Sequence, residues 1–150
     1  MHPDVSEPGL GIWDLYTPVL QGSGGNPTLG TGSEQYGHYF ILGDVVFVSA
    51  RVQIGGAGFV NGTGTVFISL PVPAEPGYFA TIMTIGAGWF KDTSGDDSYL
   101  LTAILGTGDA NELQVQFRPQ STATSVLTYT TPVTWAANGD IAFSGFYKAA

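Results

Sequence analysis

The sequence predicts an all-β fold: an antiparallel β-sandwich or jelly-roll-like domain with an extended N-terminal arm. Three observations carry this expectation. Apolar and polar residues alternate with a period of two along several runs. Turn signals rich in Gly, Asn, Asp and Pro separate those runs at short intervals. No window shows helical periodicity.

Residues 1–12 form the arm. Pro3 and Pro8, with Gly9 and Gly11, argue against a helix there. The remainder, 13–150, reads as one domain with no internal boundary, repeat or coiled-coil heptad. Its clearest strand lies within Tyr39 to Ile54. Val46, Val48, Ala50, Val52 and Ile54 alternate with Phe47, Ser49, Arg51 and Gln53, the pattern of a half-buried strand. Tyr39 to Leu42 is expected to join it through a tight turn at Gly43-Asp44, because Gly accepts the positive φ that such turns need. Glu112 to Arg118 repeats the pattern, with Leu113, Val115 and Phe117 on one face and Gln114, Gln116 and Arg118 on the other. Ile141, Phe143 and Tyr147 mark a final strand. Further strands are expected at Trp13–Leu20, Thr65–Leu70, Phe79–Ile85, Tyr99–Leu105 and Ser125–Thr130.

Composition narrows the function. Four basic residues against 12 acidic ones give a formal net charge of −8, which repels nucleic acid and anionic lipid. Charged residues are 11% of the chain, against roughly 25% in an average soluble domain, so much of the surface must be Thr, Ser, Gln, Asn and Gly. With no cysteine there is neither a disulfide framework nor a thiolate metal site. The first residues lack the basic and apolar regions of a signal peptide, and no apolar run is long enough to span a membrane.

Catalytic patterns are missing. His2 sits in the arm and His38 in a strand, where a surface or interface role is expected. No Gly-x-Ser-x-Gly elbow accompanies them. Asp92, Asp96 and Asp97 form the one acidic cluster, read as a solvated turn. The cluster opens like a calcium loop, but Asp97 and Ala103 stand where an EF-hand has Gly and Glu. Gly-x-Gly pairs such as Gly86/Gly88 lack a phosphate-binding continuation and read as turns or bulges. The chain is therefore expected to be no enzyme and to use no cofactor or metal. Trp89 and Phe90 precede the acidic cluster. Exposed aromatics beside carboxylates suit sugar binding, whereas alternation along a strand would send one of the pair into the core. Trp89, Phe90, Asp92, Asp96 and Asp97 are the candidate exposed contacts, within loops 86–98 and 55–64.

An ordered series of short motifs adds to this reading. Trp13-Asp14-Leu15-Tyr16-Thr17-Pro18-Val19-Leu20 is followed by Asn26-Pro27-Thr28-Leu29-Gly30-Thr31-Gly32, then Tyr36-Gly37-His38-Tyr39 and Gly43-Asp44-Val45-Val46. Gly62-Thr63-Gly64 and Ile68-Ser69-Leu70-Pro71-Val72-Pro73-Ala74 occupy the middle. Trp135-Ala136-Ala137-Asn138-Gly139-Asp140 and Gly145-Phe146-Tyr147 close the series. The series resembles a β-sandwich domain of structural proteins in phages of actinobacteria, often C-terminal in minor tail or fibre proteins. The resemblance implies a virion protein. With the domain filling the chain behind a short arm, the expected role is a capsid decoration protein, trimeric, stabilising the shell. Pro3, Asp4, Val5, Pro8 and Leu10 would then dock on the major capsid protein by strand addition. The alternative is a tail-associated adhesin recognising a host glycan. Neither role calls for nucleic acid or membrane as a partner.

Overall fold

The computed structural model describes residues 12–75, 83–93, 97–105, 114–120 and 125–150. These contain nine strands and no helix: β1 (Asp14–Tyr16), β2 (Leu20–Gly22), β3 (Glu34–Leu42), β4 (Val45–Gln53), β5 (Val66–Ser69), β6 (Met83–Lys91), β7 (Ser98–Leu105), β8 (Gln114–Pro119) and β9 (Asp140–Lys148). Every pairing is antiparallel, in one sheet of order β1-β3-β4-β9-β6-β7-β8-β5-β2. The all-β antiparallel expectation holds, realised as a single sheet curled into a half-barrel.

The curl follows from the ends of that order. The two edge strands, β1 and β2, are successive pieces of one stretch of chain, separated only by Thr17, Pro18 and Val19. Four residue steps from Tyr16 to Leu20 span at most about 14 Å, so the sheet must bring its edges together. Sequence reading placed one strand over Trp13–Leu20. Pro18 lacks the N–H that would continue a ladder, and the chain changes partner there. Around this corner Gln35 Nε2 donates to the Pro18 carbonyl (2.7 Å), the Val19 amide donates to Ser69 Oγ (2.8 Å), and the Ser69 amide returns a bond to the Val19 carbonyl (3.0 Å). One corner thus ties β3 to β5.

The hairpin β3–β4 forms as expected. Leu42 pairs with Val45 across a two-residue turn, and Gly43 has φ +64°. A positive φ at the first turn position alone matches a type II′ turn, whose twist suits paired strands. β4 then sends Val46, Val48, Ala50 and Val52 inward. Ile85 and Phe90 of β6, Leu101, Ala103 and Leu105 of β7, Val115 and Phe117 of β8, and Ile141, Phe143 and Tyr147 of β9 meet them. Phe90 stacks on Trp135 with ring centroids 4.3 Å apart. On the other side of β5, β8 and β7, Phe67, Gln116 and Ile104 lie side by side in register and are also buried. Gln116 keeps the face that its spacing predicts, but that face is covered there.

Other expectations change. Ser125–Thr130 is a loop with one isolated bridge, from Thr128 to Thr65; backbone bonds also tie Leu127 to Val66 and Phe117, and it delivers Leu127 and Tyr129 into the core. Of the two readings of Gly86 and Gly88, turn or bulge, the turn fails, since both lie inside β6, while the register shift between Thr84 and Gly86 agrees with a bulge. A Cβ on Gly86 would come within 1.9 Å of the Ser144 carbonyl oxygen, and one on Gly145 within 2.2 Å of that of Ile85. Side chains at either position would push β6 and β9 apart. The arm residues Pro3, Asp4, Val5, Pro8 and Leu10 lie outside the described residues, as do His2, residues 79–82, Leu113 and Asp96.

Two tyrosines fasten neighbouring backbone to this core. Tyr129 Oη donates to the Gln21 carbonyl (2.8 Å) and Tyr147 Oη to that of Val72 (2.7 Å). Burial holds the phenols of Tyr16, Tyr129 and Tyr147 above their ordinary value near 10. Their stabilising contribution is therefore fully present below about pH 10 and is lost as pH rises further, since only the unfolded chain ionises them readily. Urea unfolding measured from pH 8 to 11.5 should give constant stability up to about pH 10. Above it the fall should approach about 1.4 kcal/mol per pH unit for each buried tyrosine, and Tyr129→Phe should make that fall shallower. In the same assay Phe90→Ala should cost roughly 3–5 kcal/mol through its cavity and the lost stacking on Trp135.

Candidate functional site

Residues of β3, β4, β9 and β6 that do not enter the core face outward, and strand register arranges them in rows. The first row is aromatic. Phe40 pairs with Phe47, and Phe47 with Phe146. Trp13 continues the row beyond β1. Ring centroids are 4.6 Å apart from Trp13 to Phe40, 4.6 Å from Phe40 to Phe47 and 5.8 Å from Phe47 to Phe146. Trp13 and Phe146 remain more than half exposed. Beyond Phe146 the row opens into a groove of about 330 Å³, lined by Val45, Phe47, Met83 and Phe146, with Asp44 and Lys148 among its lining residues. Lys148 Nζ bonds to Glu75 at 3.1 Å.

The second row is small and polar: His38, Ser49, Ser144 and Ala87, each opposite the next. The third is Tyr36, Arg51, Ala142 and Trp89. Small side chains beside large ones leave a depression of about 200 Å³, lined by Ser49, Ala87, Gly88, Trp89, Ala142, Phe143 and Ser144. Neither serine hydroxyl has a hydrogen-bond partner among the described residues, and both serines are exposed.

Arg51 is fixed at the margin of this depression. Its Nε donates to both carboxylate oxygens of Asp140 (3.0 and 2.9 Å), and its Nη2 bonds to the same carboxylate. Asp140 is almost fully buried, so the pair is screened by water on one side only. The hydrogen bonds that Arg51 donates to Asp140 hold the guanidinium charge even more firmly than usual. Glu34 accepts a hydrogen bond from Tyr36, which raises the phenol above its ordinary value.

The residues singled out from sequence separate here. Trp89 is 37% exposed and faces outward, opposite Ala142. Phe90 is fully buried, as strand alternation requires, so it is no surface contact. Asp92 is also fully buried, not a solvated turn residue. Its amide donates to the Asp97 carbonyl (2.9 Å), and it has partners of its own. Asp97 is exposed. The expected loop 86–98 is in large part strand β6. Loop 55–64 is tied to 24–31 by backbone bonds, among them the reciprocal pair Thr28–Val60. Sequence reading missed the floor of the depression: Ser49 and Ser144 become neighbours only through the β4–β9 register, although the period-two alternation places each on its outward face.

No protein-family model matches the sequence, and no curated protein matches it. Among solved structures the chain is similar to the Dettilon tailspike protein, with a TM-score of 0.56 and 19% identity. The match covers 93% of this chain and 24% of that one. The chain thus spans about a quarter of the tailspike's length, and the likeness shows the fold. It covers nearly the whole of this chain.

The aromatic row makes its own prediction. Phe146→Ser should change unfolding free energy by less than about 1 kcal/mol, as an exposed substitution does. It should also lower retention on a hydrophobic-interaction column by removing the most exposed ring of the row.

Proposed function

We propose that this chain is a structural domain of a phage tail that attaches the particle to the host surface. The observation that carries the reading is the match to a tailspike along nearly the entire domain. The outward sheet face supports it: exposed aromatic rings and unpartnered hydroxyls on a rigid sheet are suited to binding. The net charge of −8 supports a partner other than nucleic acid or an anionic membrane.

The role proposed is binding, not catalysis. Among the described residues, no three His, Cys, Asp or Glu side chains gather into a potential metal site. His38, the one histidine described, is exposed in the serine row. Trimeric assembly and contact with other tail proteins belong to the same proposal. The shell-coating role expected from sequence has no support in the tailspike likeness, and one experiment separates the two.

That experiment is quantitative mass spectrometry of purified particles against the major capsid protein, with immunogold labelling for position. A handful of copies, labelled at the tail tip, is the expected result. Hundreds of copies distributed over the head would overturn the tail reading and return the shell-coating role.

A further inference from the structure

We infer that the depression between Trp89 and the Phe47–Phe146 pair is a binding site for one ring of an uncharged host-surface oligosaccharide. This inference rests on the reading that the domain meets the host surface.

Ser49, Ser144, Ala87 and Ala142 stand side by side on three adjacent strands, and none rises far from the sheet. Trp89 bounds the resulting hollow, which at about 200 Å³ is broad and open. Its floor belongs to paired strands, so a ligand would meet it already formed.

Chemistry then selects the occupant. A pyranose ring has an apolar C–H face and a rim of hydroxyls. The exposed face of Trp89 offers an apolar platform for the first. The hydroxyls of Ser49 and Ser144 lie opposite each other and lack protein partners among the described residues, so each is free to donate and accept. A purely apolar partner would strand both hydroxyls without hydrogen bonds, at a cost. An anionic sugar is disfavoured because the lining holds no cationic group, the Arg51 fork is committed to Asp140, and the protein is strongly acidic. A neutral saccharide satisfies both halves of the site.

The test is a ¹⁵N-HSQC titration of the full chain with maltohexaose, mannohexaose and galactohexaose, and with a hexamer of galacturonic acid as the charged comparator. At least one neutral hexamer should shift the amides of Ser49, Ala87, Trp89, Ala142 and Ser144. Trp89→Ala should weaken that binding at least tenfold, and Ser144→Leu, which fills the hollow, should abolish it. Val60→Ser, at an exposed loop position, should leave it unchanged, and thermal melts would establish that all three variants fold. The inference is overturned if no neutral hexamer shifts these amides, if binding survives Ser144→Leu, or if the galacturonate binds more tightly. It is overturned equally if sedimentation shows the hollow occupied by a second copy, with Ser144→Leu dissociating the pair. Failure here with tail-tip labelling intact removes the saccharide site alone. Head labelling with saccharide binding intact removes the tail reading alone.

Discussion

The structure depends on the three residues that join its first two strands. Thr17, Pro18 and Val19 connect the opposite edges of a nine-stranded sheet, so the sheet cannot lie open. An open sheet of this width would expose two rows of unpaired backbone groups, a template for aggregation. Here each edge strand is three residues long, and the corner between them is bonded to both β3 and β5. Closure also fixes which side is inside. One register slip would turn every outward residue of β4 into the core, and the shared corner leaves no slack for it.

Much of this was legible in the sequence, for physical reasons that can be named. β4 is readable because it has a wet face and a dry face, so its composition alternates. The Gly43-Asp44 turn is readable because its geometry admits few residues. Ser125–Thr130 misleads because Leu127 and Tyr129 alternate like a strand while they belong to a loop that fills the core. Gly86 and Gly88 are legible as an irregularity in the ladder but not as strand. Glycine usually signals a turn, but here the missing side chains let two strands pack closely. Trp13–Leu20 reads as one strand because composition is blind to a change of partner, although Pro18 marks the place.

The candidate site was less legible than the fold. Trp89 and Phe90 are adjacent in sequence and have opposite fates, which alternation foretells without saying which is which. Asp92 looks like a surface carboxylate because its neighbours are polar, yet it is fully buried. Ser49 and Ser144 are nearly a hundred positions apart. No local pattern relates them, and the register between β4 and β9 is a property of the assembled sheet.

The aligned rows of the outer face have a further consequence. Strands in a sheet stand about 4.8 Å apart, and outward residues on one strand recur about every 6.8 Å. The face is therefore a lattice whose points are set by backbone hydrogen bonds, not by the side chains displayed on it. The core claims the inward residues and leaves the outward ones free to vary. Such a surface is evolvable in a particular way. New recognition would arise by exchanging the group at a lattice point, with no loop to remodel and little stability at stake. A partner would be discriminated by how well the spacing of its own groups matches that of the strands.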